Sequence, residues 1–505
     1  MLLQLDGAGA RYAQITRALC GLIQGGVLAP GARVPPTREL ARDLACSRNL
    51  VLLAYEQLTL EGYLTSRGRA GTFVSPELPP RTPPAPAGVT PTGTVTLSRQ
   101  GQRIADVAAR ALALYRPLTP VDIDFTYGLC QPDRRMVASI RTAFKATLGR
   151  APFSYPRAAG DELLRQQIAN RLRTGRGIAR GADQVLVTSG SQQALEICAR
   201  LLVGDGDRVV MEDPGYDGVN NAFLAAGASI TRVPVDRFGM IVSALPDSGP
   251  PVRLVYVTPS HQFPTGAVMS ASRRYALLAW ARRHGAHILE DDYDSEFRYT
   301  GRPIEALAAL DPDGPVIYCG TFAKSLFPSL RLGYLSLPAA LVAPAVGCKW
   351  LSDLGSPPIL QRLVGELMAR GAYDRHIRRM QRRYRARRDV LVAALRAHLG
   401  AAVDVDGDEA GLHVVVWMRD LLPAQVDAVV SLCLERGVRL HSLGSGPVVY
   451  FDRTTARAPS RRAGLLLGYG VVGADRIERG VAILADACRQ VSSLQSRPGR
   501  AKAHR

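Results

Sequence analysis

The stretch "TFAKSLFPSLRLGYL", residues 321–335, decides the fold because it holds a lysine in a chain that takes almost all of its positive charge from arginine. The only lysines are Lys145, Lys324, Lys349 and Lys502. Arginine stays protonated and cannot become a free amine nucleophile. A site that forms a Schiff base with an aldehyde cofactor must therefore use lysine. Lys324, with Arg331 seven residues later, is the candidate.

The overall composition indicates a multidomain globular protein with an anionic partner. At 505 residues the chain is too long for one core, so two or three domains are expected. The net charge of +19 favours nucleic acid as the partner. The eight cysteines stand singly, which predicts neither a zinc site nor a disulfide framework. The chain lacks a membrane-length apolar run and a signal peptide, so we expect a cytoplasmic protein with no membrane partner.

A proline-rich stretch separates a small N-terminal part from a large C-terminal part. Residues 76–91, "PELPPRTPPAPAGVTP", contain seven prolines and almost no large apolar residues. Such a composition is typical of an extended spacer. We expect five segments: an N-terminal module (1–75), a linker (76–115), a large domain (116–370), a small C-terminal subdomain (371–493) and a basic disordered tail (494–505).

The large part alternates short apolar strands with amphipathic helices. The runs "DQVLVTSG", "DRVVMEDPGY", "VRLVYVTPSH", "GAHILEDDYD" and "GPVIYCGTF" each end in polar or glycine-rich residues. This rhythm predicts βαβ units and a mostly parallel α/β sheet, whose functional loops gather at the carboxyl ends of the strands. From about residue 371 a long basic helix and strand-like pieces such as "LHVVVWM" predict a smaller α+β subdomain.

The N-terminal module has the pattern of a helix-turn-helix followed by a small hairpin. Thr37 sits at an N-cap position before "RELARDL", and Ser47 can cap the next helix after the three-residue turn "ACS". The first turn of that second helix is where a recognition helix meets bases and phosphates. The alternative is a small helical domain that binds protein. The candidate DNA-binding residues are Thr37, Arg38, Ser47, Arg48 and Asn49, with Arg67 and Arg69 on the hairpin.

Three loops supply what pyridoxal 5′-phosphate (PLP) chemistry requires. In "TSGSQQAL", Gly190, Ser191 and Gln192 open a helix whose free N–H groups can face a phosphate, although small polar residues cap many helices. The acidic loop "ILEDDYDSEF" offers an aspartate for the pyridine nitrogen, and Tyr293 for the ring oxygen. Spacing does not single out one aspartate. A divalent metal is the rival ligand there, but the neighbouring histidines lack ligand spacing.

The loop at residues 321–335 supplies the remaining groups. Lys324 reaches the aldehyde, while Thr321 and Arg331 can hold the phosphate. An ordinary surface lysine is the alternative for any one loop, but the scarcity of lysine in this chain argues against it. The sequence therefore predicts PLP as cofactor and no metal.

Two family resemblances cover most of the chain. Residues 11–74, with "LAPGARVPPTRELARDLACSRNLVLLAYEQLTLEGYL", resemble the winged helix of GntR-type bacterial repressors. Residues 120–490 resemble a fold-type-I aminotransferase. The order "EDPGY", "TPSHQFPTG", "EDDYDSEFRY" and "GTFAKSLFPSLRLGYL" is similar to the MocR/GabR family of PLP-dependent transcriptional regulators. The resemblance implies promoter DNA as a partner and a head-to-tail homodimer.

The same resemblance implies roles for individual residues. Lys324 would be the internal aldimine lysine, Asp291 the partner of the pyridine nitrogen, Tyr293 the contact of the ring hydroxyl, and Tyr216 the stacking group. Tyr155 of "YPRAAG" would be lent to the site of the other subunit. The residues implied around the phosphate are Ser189, Gly190, Ser191, Gln192, Thr321 and Arg331.

Two positions depart from the aminotransferase pattern. Phe263 stands where many aminotransferases carry asparagine, and Leu466 stands where an arginine grips the substrate carboxylate. Arg461 and Arg462 lie upstream and could substitute for that arginine. Without a bidentate clamp, amino-acid turnover is less expected than cofactor binding. A working aminotransferase with a DNA-binding appendage remains the alternative function.

Two further questions stay open at the level of sequence. The signal could be PLP itself, or an amine or amino acid that displaces Lys324, and the missing arginine favours PLP. The run "YDRHIRRMQRRYRARRDV" could be a solvated helix face or a ridge that contacts DNA phosphates. The arginines expected on one face are Arg375, Arg378, Arg379, Arg382 and Arg383.

Overall fold

The computed structural model describes residues 3–78, 96–114, 119–149, 154–301, 305–444, 448–451 and 463–495. The chain divides into two compact units, Met1–Thr96 and Leu97–Arg505. Most of the proline-rich stretch and the tail beyond Gln495 lie outside the described residues. Within the described ranges, no helix is long and apolar enough to cross a membrane.

The first unit is a three-helix module followed by a two-stranded hairpin. Its elements are α1 (Arg11–Gln24), α2 (Thr37–Asp43), α3 (Arg48–Leu60), β1 (Leu64–Ser66) and β2 (Thr72–Val74). Apolar side chains four residues apart, such as Ile15 and Leu19 on α1 and Ala54 and Leu58 on α3, are fully buried in one core. Strands β1 and β2 pair antiparallel. The predicted winged helix-turn-helix is confirmed.

The second unit contains the remaining helices and strands. Its helices are α4 (Arg99–Leu114), α5 (Arg134–Leu148), α6 (Glu162–Arg176), α7 (Ser191–Leu202), α8 (Asp217–Ala226), α9 (Ala271–His284), α10 (Leu307–Leu310), α11 (Ala339–Asp353), α12 (Pro358–Ala369), α13 (Ala372–Leu399), α14 (Pro423–Glu435) and α15 (Ala474–Gln495). Its strands are β3 (Ile123–Asp124), β4 (Val185–Thr188), β5 (Arg208–Asp213), β6 (Gly215–Tyr216), β7 (Ser229–Asp236), β8 (Gly239–Met240), β9 (Val252–Val257), β10 (His287–Asp292), β11 (Val316–Thr321), β12 (Gly333–Ser336), β13 (Val403–Asp406), β14 (His413–Met418), β15 (Val438–Arg439), β16 (His441–Ser442), β17 (Val449–Tyr450) and β18 (Gly464–Gly468).

The second unit is organised around an eight-stranded sheet of the described residues. The strand order is β4-β12-β11-β10-β9-β5-β7-β8. Strands β11, β10, β9, β5 and β7 are parallel, whereas β12 runs antiparallel to both of its neighbours. Apolar side chains on both faces of the sheet are buried, as expected for a sheet covered by helices on each side. The predicted α/β aminotransferase architecture is confirmed.

The small C-terminal subdomain contains a four-stranded antiparallel sheet, ordered β13-β14-β18-β16. Helices α13, α14 and α15 pack beside it through buried residues such as Tyr384, Leu395 and Val429. Strand β3 pairs in parallel with β15, so the chain near Ile123 joins this subdomain although the sequence assigned it to the large domain.

Helix α4 occupies much of the segment that the sequence assigned to the linker (76–115). It packs against α8 within the second unit, and Arg103 donates from Nη1 to Asp205 Oδ1 at 2.9 Å. Alanines and leucines in "RIADVAARALAL" give this helix its apolar stripe, with Val107 buried. The proline-rich composition ends before this helix begins, so the spacer is shorter than the sequence predicted.

Candidate functional site

The predicted cofactor residues of the second unit gather at one edge of the eight-stranded sheet. Parallel strands β10 and β11 end at this edge, and the antiparallel β12 begins there. Strand β4 also ends there, because its last residue Thr188 pairs with Gly333, the first residue of β12. Loops that follow or precede these strands therefore meet. Lys324 and Arg331 lie on the single connection between β11 and β12.

Lys324 presents an amine in a desolvated environment. Its Nζ lies 3.4 Å from the Gly128 carbonyl oxygen and 4.7 Å from the centre of the Tyr127 ring. Asp291 and Asp294 act on this amine only through their charge, without a hydrogen bond to it among the described residues. Burial lowers the pKa of Lys324, because the charged form is poorly solvated there. A larger neutral fraction makes the lysine a better nucleophile toward an aldehyde.

The backbone beside Lys324 has no space for a side chain. Gly128 has φ of 81°, a conformation that favours glycine, and a Cβ at this position would collide with Nζ of Lys324. The glycine therefore admits the amine to the site.

Asp291 is the aspartate with an oxygen left for a ligand. Its Oδ2 accepts a 2.8 Å hydrogen bond from the Tyr256 hydroxyl, while Oδ1 is buried without a hydrogen-bond partner among the described residues. Burial raises the pKa of Asp291 to about 7. A cationic N–H donor placed against Oδ1 would satisfy this oxygen and stabilise the carboxylate.

The other two aspartates of the acidic loop are engaged elsewhere. Asp292 Oδ2 lies 2.8 Å from Arg176 Nε and accepts a 2.5 Å hydrogen bond from the Tyr318 hydroxyl. Asp294 faces His261, whose Nδ1 lies 3.1 Å from both carboxylate oxygens. The contacts thus distinguish Asp291 from Asp292 and Asp294 as the candidate partner of the ring nitrogen, which sequence spacing did not.

Glu212 lies near Asp291 and shares its burial. Its Oε2 accepts from the Thr258 amide (3.1 Å) and hydroxyl (2.7 Å), and Oε1 has no partner among the described residues. Burial, opposed by these hydrogen bonds and reinforced by the charge of Asp291, raises the pKa of Glu212 to about 7. Glu212 is the first residue of "EDPGY", but the sequence pattern assigned no role to this carboxyl.

This pKa predicts a pH-dependent effect of Glu212→Gln on the cofactor-free protein. A native pKa above the unfolded value means that the native state binds more protons, so stability falls as pH rises from about 4.5 to about 7. Glutamine does not ionise. We expect the melting temperature of the variant, relative to wild type, to rise by about 2 °C or more between pH 5 and pH 8. The exposed Glu478→Gln serves as the control and should show no such trend.

Tyr293 belongs to a buried polar chain that the sequence did not indicate. Its hydroxyl lies 3.1 Å from His261 Nδ1, the nitrogen that also faces Asp294. His413 packs 5.3 Å from His261, centre to centre, and burial lowers the pKa of His413 to about 3. Tyr293 is thereby held in place at the site. The histidine of "TPSHQF" was the one available signal for this contact.

The N-terminus of α7 and Arg331 form the candidate anion cradle. Gly190 immediately precedes α7 with φ of 89°, and an added Cβ would lie 3.3 Å from Arg331 Cζ. Arg331 Nη2 donates to the Ser189 carbonyl oxygen at 3.2 Å. Helix N–H groups, the helix dipole and a guanidinium are thus directed to one place, which suits a phosphate. The remaining predicted members, Ser191, Gln192 and Thr321, begin α7 or end β11.

A second lysine, Lys349, stabilises the chain that forms this cradle. Lys349 is fully buried, and its Nζ donates to Gln193 Oε1 (2.9 Å), Asp353 Oδ2 (2.8 Å) and Ser356 Oγ (2.9 Å). Gln193 Oε1 also accepts from the Ser189 amide at 2.8 Å. These bonds fix the chain as it enters α7. The scarcity of lysine pointed to Lys324 and gave no weight to Lys349.

An aromatic and aliphatic wall closes the other side. Tyr216 and Tyr127 contact the Phe263 ring, with centroids 6.0 Å and 4.8 Å away. Leu466, 1% exposed, belongs to the same apolar cluster, which also contains Trp417. The position expected for a carboxylate-binding arginine is therefore filled by a buried hydrocarbon side chain. Arg461 and Arg462 lie outside the described residues.

Tyr155 is not brought to the site within its own chain. Its side chain is 88% exposed and makes no hydrogen bond or ring contact in the part of the chain that the structure describes. The other predicted positions and the chemistry of PLP agree group by group. Lys324 suits the aldehyde, the free oxygen of Asp291 suits the ring nitrogen, and the α7 cradle suits the phosphate. No group of metal-ligating side chains occurs among the described residues.

The predicted DNA-binding residues of the first unit lie on an exposed surface. Arg48 donates from Nε to the Thr37 hydroxyl at 3.3 Å, which links the two helices of the helix-turn-helix. Ser47 is the N-cap of α3, but its side chain makes no capping hydrogen bond, and α2 begins at Thr37 with Pro36 as its N-cap. The residues exposed to solvent on this unit are Arg38, Ser47, Arg48, Asn49, Arg67 and Arg69, whereas Thr37 is half-buried.

The hairpin of β1 and β2, the wing of this module, holds Arg67 and Arg69 in different environments. The guanidinium of Arg67 lies 4.9 Å from the centre of the Phe73 ring, on the opposite strand. Arg69 lies in the turn Gly68–Ala70 between the strands. Stacking on Phe73 restricts Arg67, whereas Arg69 is exposed in the turn of the hairpin.

Fold and site together define a winged-helix DNA-binding module joined to an aminotransferase domain of fold type I. Comparison with known proteins agrees for both parts. Residues 11–74 match the family described as bacterial regulatory proteins of the gntR family, and residues 123–443 match aminotransferase class I and II.

Relatives with both parts cover the whole chain. It is 35% identical to the probable rhizopine catabolism regulatory protein MocR of Rhizobium meliloti, over 99% of this chain and 98% of the relative. It is 30% identical to the pyridoxine biosynthesis transcriptional regulator PdxR of Corynebacterium glutamicum, over 94% and 95%. The chain therefore belongs to the family of MocR-type transcriptional regulators, which carry a GntR module and an aminotransferase-like domain.

Solved structures match the second unit. The α-aminoadipate aminotransferase LysN of Thermus thermophilus, in complex with N-(5′-phosphopyridoxyl)-L-leucine, superposes with a TM-score of 0.67 at 26% identity. The match covers 79% of this chain and 98% of LysN. This protein is thus a DNA-binding transcriptional regulator with an aminotransferase-like domain.

Proposed function

We propose that the aminotransferase-like domain is a sensor that holds PLP on Lys324 and reports its occupancy to the DNA-binding module. The observation that carries this proposal is the buried, unpartnered Oδ1 of Asp291 in the same site as a desolvated lysine amine. Burial of each group without a partner is energetically unfavourable. A ligand with an aldehyde and a ring N–H would remove this penalty. When bound, PLP supplies an electrophilic aldehyde and an electron-accepting ring.

The residues of the chain would bind and orient this ligand. Burial lowers the pKa of Lys324, which would favour the neutral amine that an aldehyde cofactor requires. Asp291 would accept the N–H of the ring nitrogen at Oδ1, while Tyr256 fixes the carboxylate through Oδ2. Tyr293, positioned by His261, would bind the ring oxygen, and Tyr216 would stack on the ring.

The phosphate and the dimer complete the proposed site. The start of α7 with Arg331 holds the phosphate, with Ser189, Gly190, Ser191, Gln192 and Thr321 around it. Tyr155 is exposed in its own chain, which is consistent with a head-to-tail homodimer in which each protomer lends this tyrosine to its partner.

We further propose that PLP itself is the signal. A buried Leu466 stands where a carboxylate clamp would be needed, among Phe263 and Trp417, so an amino acid finds no charged partner there among the described residues. The name of the Corynebacterium glutamicum relative, a pyridoxine biosynthesis regulator, is consistent with this choice. Cofactor occupancy would shift a conformational equilibrium between states of different operator affinity.

The test is a titration of the cofactor-free protein onto the DNA upstream of its own gene, with and without added PLP. We expect PLP to change the apparent dissociation constant between about 5-fold and 150-fold, the usual range of allosteric coupling. Binding that is equally tight in both conditions would contradict PLP as the signal. An added amine or amino acid that changed the affinity only of the PLP-loaded protein would identify the other class of effector.

A further inference from the structure

An arginine-lined groove lies on the second unit, and its lining contains none of the predicted cofactor residues. It is formed between α13 and the start of α5 and has a volume of about 580 Å³. Its lining residues are Arg135, Arg375, Arg378, Arg379, Gln381 and Arg382. The sequence placed Arg383 on the same face of α13, but it is not among the lining residues. Arg135, which comes from α5, takes part instead.

One acidic residue fixes the two walls of this groove. Asp133 is the N-cap of α5, where its carboxylate accepts from the Met136 amide at 2.7 Å. The same carboxylate receives two hydrogen bonds from Arg379, at 2.5 Å and 3.0 Å. A bidentate contact of this kind holds both partners in one geometry. The groove is therefore a built feature, with Arg379 as part of its frame.

Three of the other arginines keep their charge available. Arg135, Arg378 and Arg382 are exposed, and their side chains make no ion pair or hydrogen bond with the described residues. Arg375 donates from Nη2 to the Arg370 carbonyl oxygen at 3.1 Å, which leaves its charge uncompensated. Like charges gathered without counter-charges repel one another, so this arrangement favours an anionic ligand.

We propose that this groove binds backbone phosphates of DNA that flanks the operator. The lining arginines of α13 extend over eight residues, from Arg375 to Arg382, or about 10 Å of helix, and present planar forks suited to phosphate oxygens. The chain is a DNA-binding regulator, so DNA is the polyanion at hand once the winged helix has bound. Residues 1–75 hold eight arginines and five acids, +3 of the total +19, so most of the positive charge lies outside the winged-helix module.

The experiment compares two duplexes and three forms of the full-length protein. The core duplex contains only the upstream DNA that the Arg378→Gln/Arg382→Gln variant protects in a footprint, and the extended duplex adds about three helical turns on each side. The test variant is Arg378→Gln/Arg382→Gln. The matched control, Arg110→Gln/Arg396→Gln, removes the same charge from exposed helix positions outside the groove. All are measured over a salt series.

The expected result is specific to the groove and to DNA length. Wild type and control should bind the extended duplex at least about tenfold more tightly than the core duplex, with a salt dependence steeper by about two phosphates per protomer. The test variant should lose this advantage and keep its affinity for the core duplex.

Other outcomes overturn the proposal. Equal affinity of wild type for both duplexes, an unchanged test variant, or an equal loss in the control would each do so. Binding of inorganic tripolyphosphate that only the test variant loses, with DNA binding unaltered, would assign the groove to a small anion instead. The affinity for the core duplex is measured with and without PLP in the same series. Failure of the PLP-sensing proposal can therefore be distinguished from failure of the groove proposal.

Discussion

Lys324→Ala is expected to abolish covalent attachment of PLP. The absorbance of the lysine-bound cofactor should disappear, and borohydride treatment in the presence of PLP should add no mass to the protein. The reason is that, of the lysines that the structure describes, only Lys324 has its amine directed into the site, whereas Lys349 is fully buried and bonded to three acceptors. Mass spectrometry after reduction measures the effect directly.

The fold should survive this substitution. Among the described residues, Nζ of Lys324 makes one long hydrogen bond, to the Gly128 carbonyl oxygen, and lies 4.7 Å from the centre of the Tyr127 ring, so its loss removes little native-state interaction. Lys145→Ala, on the exposed surface of α5, is the control and should retain full labelling. A reducible adduct that persisted at Lys349 in the Lys324→Ala protein would show that the site has been assigned to the wrong lysine.

Arg48→Ala/Asn49→Ala is expected to weaken operator binding by at least about 100-fold. Both residues lie exposed in the first turn of α3, and each base-edge or phosphate contact of this type contributes about 1–3 kcal/mol. Their removal should spare folding, because the core of the module uses the opposite face of α3, with Val51, Ala54 and Leu58. Fluorescence anisotropy with the upstream duplex gives the dissociation constants.

Arg17→Ala is the matched control for the DNA-binding variant. Arg17 is exposed and paired with Asp6, and it belongs to α1 rather than to the recognition helix α3 or the hairpin. It should reduce affinity only slightly, through the loss of one charge. If the control weakened binding as much as the double variant, the contact surface would be elsewhere on the module.

The sequence predicted the features that depend on local pattern. Strands such as β10 and β11 are short apolar runs that end in polar residues, and the helix-turn-helix follows from spacing and a tight turn. The loops at the strand ends were found for the same reason, because parallel strands bring their carboxyl ends to one edge. Lys324 stood out through composition alone.

The features that escaped prediction depend on contacts distant in sequence. Lys349 contacts Gln193, 156 residues away in sequence, and His261 contacts Asp294, 33 residues away. Neither contact can therefore be predicted from a local sequence pattern. The choice of Asp291 required the partners of Asp292 and Asp294. Arg135 joins the arginine groove only because Asp133 ties α5 to α13. Helix α4 was missed because the composition of the neighbouring spacer was extended over it.

Gly333 lies where strands β4, β12 and β11 meet, and this position tolerates no side chain. Its identity is therefore as constrained as that of the reactive residues. Gly333 pairs with Thr188 on one side and Thr321 on the other. A Cβ there would lie 2.9 Å from the Gly190 carbonyl carbon and 3.0 Å from the Gly320 carbonyl oxygen. A mutational scan scored for loss of PLP would therefore rank this glycine beside Lys324. A mutation can therefore inactivate the sensor at a residue whose side chain takes no part in binding PLP.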